Sequence, residues 1–177
     1  MSNACAVTTG KVRLAYCNVW EPRSIVHGAG APLYSCQIII PKTSLATVRK
    51  VQAAIAAAIR EGYDKGKFAP GDALARYPLK DGDVTERPYL WGCWYINANN
   101  SAKPRVIDIN GEPVTNHALM YSGVYARVRL VFYPSCAAGG GVSASLGNLQ
   151  RLEDGESLGT TPHDRNPAED FAEPRED

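Results

Sequence analysis

Between Tyr121 and Tyr133 the chain alternates apolar and polar side chains with a period of two. Val124, Ala126, Val128, Leu130 and Phe132 fall on one side, and Tyr125, Arg127, Arg129, Val131 and Tyr133 on the other. Only an extended strand with one face on a core satisfies that pattern. The segment therefore commits the chain to a sheet that is dry on one side and wet on the other.

The remaining segments fit such a sheet. Lys11 to Trp20 alternates in the same way, with Val12, Leu14 and Tyr16 opposite Lys11, Arg13 and Ala15. Leu33 to Ile40 ends in Ile38-Ile39-Ile40 before Pro41, which predicts burial on both faces. Tyr89 to Ala98 reads as an aromatic strand, and Pro104 to Ile109 as a strand that turns at Asn110-Gly111. Val142 to Leu149 is a short last strand. A single stretch, about 44–62, has helical spacing. Leu45, Val48, Val51, Ile55 and Ile59 recur every three or four residues, with Thr43 or Ser44 available as a cap. Residues 67–88 carry the turn chemistry of Pro70-Gly71, Pro78 and Lys80-Asp-Gly-Asp83. The fold class that follows is mainly β: a small antiparallel barrel of five to six strands with one amphipathic helix.

A chain of 177 residues with 21% charged side chains is long enough to bury one core. No apolar run approaches the length of a membrane span. Met1-Ser-Asn-Ala-Cys5 does not read as a secretory signal, so a cytoplasmic location is expected, with no membrane partner. Cys5, Cys17, Cys36, Cys93 and Cys136 are odd in number and none forms a Cys-x-x-Cys pair. Five reduced thiols, without a metal or cofactor, are the expectation.

The charge is strongly divided. Residues 1–152 hold seventeen Lys/Arg against nine Asp/Glu, whereas 153–177 hold two against nine. A basic body of residues 1–152 with a flexible acidic tail of residues 153–177 suits a polyanion binder that carries its own tethered competitor. Within the tail, Glu169-Asp170-Phe171 adds an aromatic to two carboxylates and reads as a partner-docking element.

The polar face of the Tyr121–Tyr133 strand offers Arg127 and Arg129 between Tyr125 and Tyr133. Guanidiniums grip phosphates, and phenol rings stack on unpaired bases. Lys11 and Arg13 repeat the combination on the first strand. Around the aromatic strand, Arg87 precedes Trp91, Trp94 and Tyr95, and Lys103 and Arg105 follow. Trp91 and Tyr95 share one face and Trp94 takes the other; alternation does not say which is outward. These residues are the candidate single-strand DNA contacts. Asp81 and Asp83 read as a turn before they read as a metal pair, and Gly28-Ala-Gly30 and Gly139-Gly-Gly141 fit no phosphate loop. The chain is therefore read as a binding protein, not an enzyme. The alternative is an assembly or adaptor protein whose basic body binds an acidic protein partner. A remoter rival is a metal-dependent nuclease using Asp81 and Asp83.

Seven segments stand in a fixed order and spacing: Lys11-Val-Arg-Leu-Ala-Tyr-Cys-Asn-Val-Trp-Glu-Pro22, Tyr34-Ser-Cys-Gln-Ile-Ile-Ile-Pro-Lys42 with the Ala-rich helix, Leu79-Lys-Asp-Gly-Asp83, Tyr95-Ile-Asn-Ala98, Tyr121-Ser-Gly-Val-Tyr125, Gly147-Asn-Leu-Gln150 and Glu169-Asp-Phe171. Together they resemble a phage and prophage family that is itself similar to the single-stranded DNA-binding proteins of T7-like phages. The resemblance implies an OB-fold, sequence-nonspecific binding of single-stranded DNA in replication and recombination, and often dimers. It also implies an acidic tail that contacts replication proteins such as a polymerase or a helicase-primase. In the usual OB-fold the helix lies between the third and fourth strands, whereas here it follows the second strand counted, so either a strand near residues 22–32 goes uncounted or the topology is modified. Six residues also follow Phe171, which sets the aromatic back from the terminus.

Overall fold

The computed structural model describes residues 3–24 and 30–158. Eight strands form one sheet: β1 (Ala6–Thr8), β2 (Val12–Arg23), β3 (Leu33–Pro41), β4 (Lys80–Asp81), β5 (Cys93–Asn100), β6 (Val106–Ile107), β7 (Tyr125–Ser135) and β8 (Gly141–Glu153). Hydrogen bonds run β7-β2-β3-β5-β8 and return from β8 to β7, so five of the strands close a ring. All the ring pairings are antiparallel except β5 with β8, which meet in parallel at Asn99 and Ser145. This is an OB-like barrel, and closure removes the exposed edges of its main strands.

The other three strands, β1, β4 and β6, have two or three residues each. They are too short for a period of two to register in the sequence. β1 and β2 bind the same edge of β7, one beside Arg129–Val131 and the other beside Tyr125–Ala126. They are two pieces of one interrupted strand. At the gap the Val128 N–H donates to the Thr9 Oγ1 at 3.0 Å, which keeps a buried amide satisfied. The helix α1 (Leu45–Asp64) thus follows the second strand of the ring, and the unusual position inferred from the sequence is real. Ser44 takes the N-cap position, but its side chain makes no capping bond.

The predicted core face is fully buried, from Val124, just before β7, at 0% to Phe132 at 1% exposure. It meets Leu14, Ile38, Ile40, Ile96, Leu146 and Leu149 from the other strands, and Val48, Val51, Ala54, Ile55 and Ala58 from α1. Ile39 points the other way, into a second cluster with Ala15 and Leu90 on the outer face of the sheet. Burial on both sides of the Ile38–Ile40 run follows. Cys17 and Cys36 approach to 3.6 Å between their Sγ atoms, and all five thiols are free. Among the described residues no helix is long and apolar enough to cross a membrane.

Several strand boundaries differ from those expected: β2 runs through Pro22 to Arg23, the strand expected over Pro104 to Ile109 shrinks to Val106–Ile107, and β8 continues past Leu149 to Glu153. Residues 121–124 form a turn before β7, and β5 starts at Cys93 because Pro88–Leu90 winds into a short 3-10 turn. Pro88 removes a ladder donor, and Gly92 adopts a φ of 74°, so the aromatic segment cannot extend earlier.

Asp81 and Asp83 serve the turn. Lys42 Nζ bonds Asp81 Oδ1 at 2.7 Å and Asp83 Oδ2 at 2.6 Å, while the Gly92 N–H donates to Asp83 Oδ1. The Gly92 amide and Lys42 hold the Asp83 carboxyl below its ordinary range; Lys42 and the Asp83 amide do the same for Asp81. Lowered folded values mean a stabilisation that is complete above the unfolded carboxylate pKa and disappears as pH falls through the folded ones. Asp83→Asn should therefore be less stable than the parent at neutral pH, and the gap should close below about pH 4. Denaturant melts across that range would show it.

Candidate nucleic-acid interface

β2 changes face at Tyr16. Ala15 pairs with Gln37 and Asn18 with Ser35, so β2 spends three steps where β3 spends two. The extra residue is a bulge, and Tyr16 has a φ of 49°, alone among the described non-glycine residues. Its N–H donates to Ser122 Oγ at 3.0 Å. The bulge turns the Tyr16 ring to the outer face, where it joins Tyr89, Cys93 and Tyr95 around Ile39 and Leu90. Simple alternation places it in the core. A left-handed tyrosine stores of order 1–2 kcal/mol.

A polar chain crosses the strands beside this ring. Arg87 stands 6.0 Å from the Tyr16 ring centroid and donates through Nη1 to the Tyr89 hydroxyl. That hydroxyl donates to Gln37 Oε1 at 3.3 Å, and Gln37 Nε2 donates to Asn97 Oδ1 at 3.2 Å. Burial and the nearby Tyr16 hydroxyl push the Tyr89 phenol up, so it remains a neutral donor. Gln37, only 5% exposed, is held by partners on both sides.

Two grooves meet on this face. One of about 550 Å³ runs over Tyr16, Asn18, Arg23, Gln37, Arg87 and Asn97. The other, of about 460 Å³, lies between the 75–80 segment and β8, lined by Arg76, Tyr77, Lys80, Ser143 and Tyr133. Asn97 and Asn99 line both, so the track is continuous across β5. It combines guanidiniums, phenols and side-chain amides, the groups that hold phosphates, stack on bases and bond base edges without selecting among them.

The acidic segment begins on the same face. Glu153 pairs with Lys11, and the Glu156 carbonyl accepts from Arg13 Nη2. The Tyr121 hydroxyl is within hydrogen-bond distance of Asp154 Oδ1, Gly155 O and Gly155 N. The Leu158 N–H donates to Ser122 O at 2.9 Å, and its side chain packs on the Ala15–Ile39–Leu90 cluster that Tyr16, Tyr89 and Tyr95 also border. Residues 153–158 are thus a docked strap, not the start of a flexible tail. Gly123 and Gly155 permit the close approach: a Cβ on either would run into backbone of the other segment. Gly123 also has a φ of 118°. Gly123→Ala should cost about 1–3 kcal/mol and expose residues 153–158 to proteases, which a melt and a limited digest would detect.

The expected contact residues separate into groups. Arg87 and Tyr95 belong to the outer aromatic face, and Tyr133 to the second groove. Trp91 is 56% exposed on the turn before β5, its indole N–H on the Thr85 carbonyl. Trp94 lies on the opposite side of β5, packed against the barrel core beneath the Lys42 ammonium. Lys11, Arg13 and Tyr125 hold the strap, with both cations over the Tyr125 ring. Arg105, Arg127 and Arg129 surround a separate depression of about 250 Å³ between β7 and β8. Lys103 is exposed between β5 and β6 and lines neither groove. Glu169, Asp170 and Phe171 lie outside the described residues. Sequence reasoning missed Tyr16, Gln37, Arg76, Tyr77, Lys80, Tyr89, Asn97 and Asn99; a Tyr and two cations within 76–80 were its one available signal.

Residues 5–177 match a protein family described as Enterobacter phage Enc34, ssDNA-binding protein. A curated relative, putative protein p50 of Acyrthosiphon pisum secondary endosymbiont phage 1, is 33% identical over 158 residues, covering 86% of this chain and 85% of its own length. Among solved structures, the single-stranded DNA-binding protein of bacteriophage Enc34 in complex with ssDNA superposes with a TM-score of 0.74 at 24% identity, over 89% of this chain and 91% of that one. The single-stranded DNA-binding protein gp2.5 of bacteriophage T7 superposes with a TM-score of 0.57 at 15% identity, over 88% of this chain and 95% of that one. These two likenesses are likenesses of fold.

Proposed function

The chain belongs to the family of the Enterobacter phage Enc34 ssDNA-binding protein, and on that footing we propose that it binds single-stranded DNA without strong sequence preference during phage replication and recombination in the host cytoplasm. The observation that carries this reading is the pair of grooves joined through Asn97 and Asn99, with tyrosines and arginines in both. The strand runs along them, Arg23, Arg76, Lys80 and Arg87 on phosphates and Tyr16, Tyr77 and Tyr133 against bases. Trp91 flanks the track on the turn before β5. The protein acts by binding and needs no metal or cofactor.

The acidic tail competes with the strand for this face and, when displaced, presents Glu169, Asp170 and Phe171 to replication proteins. A second copy of the chain completes a dimer. With about four phosphates neutralised, log K should fall against log salt with a slope near −3. Titration of tryptophan fluorescence with oligo(dT) at several salt concentrations measures both affinity and slope. A failure to bind oligo(dT) at low salt would sink the reading and leave the adaptor alternative.

A further inference from the structure

We propose that Arg105, Arg127 and Arg129, around the depression between β7 and β8, form a third station for the same DNA strand, one that holds phosphates and stacks no base. The proposal rests on the single-strand reading of the two grooves and extends their path around the barrel. A bulge builds the station. Val128 pairs with Leu149 and Leu130 with Leu146, so β8 spends three steps where β7 spends two. The surplus is taken up at Gly147-Asn148, beside Arg129. Gly147 makes room there, since a Cβ on it would stand 3.0 Å from both the Cβ and the Cγ of Arg129. Asn148 Oδ1 accepts from the Arg105 backbone N–H at 3.0 Å and so brings Arg105 alongside. Arg127 Nε donates to the Thr9 carbonyl at 3.1 Å, and Arg129 Nη1 to Thr8 Oγ1 at 3.4 Å. Both guanidiniums are thus oriented by neutral acceptors. Among the described residues no ion pair involves any of the three.

The station continues the second groove. On the outer face of the β7–β8 ladder, Tyr133 stands opposite Ser143, and both line that groove. The next outward pair is Val131 with Ser145, flanked by Ala6 of β1. Ser145 also pairs with Asn99, which lines both grooves. Arg129 follows, and then Arg127 opposite Gln150. Ala6, Val131 and Ser145 put neither a ring nor a charge between the groove and the arginines. From Tyr133 to Arg127 the path is about 20 Å, a few nucleotides of an extended strand. Among the described residues no carboxylate lines the depression or either groove, so the row keeps one sign throughout. The depression also lacks what other ligands need. No aromatic ring lines it, so it offers no stacking platform. Val128 and Leu149 beneath it are 0% and 1% exposed and belong to the barrel core, which leaves half-buried Ile107 as its one apolar side chain within reach. A protein interface is built around a larger apolar centre. What remains is a grip on phosphate, which guanidiniums supply bidentately.

The test measures binding of the full chain to labelled oligo(dT) of about five and about twelve nucleotides, both within the range that one OB-fold occupies. Fluorescence anisotropy at several salt concentrations gives affinity and slope, and native mass spectrometry counts chains per strand. Each phosphate neutralised on a single strand steepens log K against log salt by about 0.7, so the short oligo should give a slope of about −3 and the long one about −5. The Arg105→Gln, Arg127→Gln, Arg129→Gln triple variant should bind the long oligo about 10- to 100-fold more weakly at low salt. Its slope should return to that of the short oligo, whose own affinity should not change. The corresponding triple lysine variant keeps the charges and should keep the steep slope. Equal slopes for the two lengths in the parent would overturn the proposal without any variant. So would two chains on one long oligo, a footprint too small to reach the arginines. A glutamine variant that retains the steep slope would also overturn it and leave the depression to an acidic protein partner. Equal weakening on both lengths at an unchanged melting temperature would place the arginines inside the first track, against the proposal. If the glutamine variant melts well below the parent, the parent's two slopes decide. Failure of the parent on both oligos would remove the single-strand reading itself, which every other outcome leaves standing.

Discussion

A Tyr16→Gly, Arg87→Ala double variant is expected to bind oligo(dT) about 30- to 1,000-fold more weakly than the parent while melting within a few degrees of it. The reasoning starts from the bulge. Tyr16 holds a φ of 49°, which glycine adopts without strain, so the substitution loses a ring but regains backbone energy of order 1–2 kcal/mol. A stacked base is worth about 1–3 kcal/mol, and a guanidinium on phosphate about 1.5–3 kcal/mol. The two groups stand 6.0 Å apart, and their effects will couple. About 2–4 kcal/mol is therefore a fair total, and tenfold in affinity corresponds to about 1.4 kcal/mol. The control is the melting temperature. A parallel collapse of stability and affinity would make Tyr16 a packing residue and remove the outer aromatic cluster from the binding surface.

How much of this could be read from the sequence depended on whether a feature was local and periodic. The β7 core face was legible because its alternation is unbroken from Val124 to Phe132. The two-sided burial of Ile38–Ile40 was legible because three β-branched apolar residues in a row leave no wet face. Tyr16 was not, because one inserted residue in β2 reverses every later orientation and no residue type announces it. Alternation puts Trp91 and Tyr95 on one strand face, but β5 begins only after Gly92, between them. The second groove was hidden because its wall, Arg76 to Lys80, is irregular and acquires meaning only when folded over β5 and β8. Arg127 and Tyr133 do share a face of β7, yet they line different depressions, because curvature of the barrel separates the ends of a long strand. The strap was hidden for a different reason. Glu153 to Leu158 is acidic and poor in apolar residues, a composition that predicts solvation. Its anchors are a phenol, backbone carbonyls and a single leucine, none of which weighs on a compositional scale.

Two truncations that a boundary at residue 152 would treat as equivalent should behave differently. A chain ending at Leu158 loses six acidic and two basic residues but keeps the strap. It should melt like the parent and bind oligo(dT) about tenfold more tightly at low salt, since a tethered competitor works at millimolar effective concentration. The gain should vanish as salt screens the tail. A chain ending at Leu152 also loses the Glu153–Lys11 and Asp154–Arg151 pairs, the Tyr121 hydrogen bonds and the cover that Leu158 places on the aromatic cluster. The exposed ion pairs contribute little. The leucine and the hydroxyl bonds together represent about 2–4 kcal/mol, or roughly 5–12 °C of melting temperature in a domain of this size. Its oligo(dT) affinity should nevertheless rise beyond that of the longer truncation, because Lys11, Arg13 and the Tyr16–Tyr89–Tyr95 surface become available to the strand. Equal melting temperatures for the two truncations would mean that the strap adds nothing to the body. Equal affinities would mean that Leu158 does not cover a surface the strand uses, and competition would then belong to residues 159–177 alone.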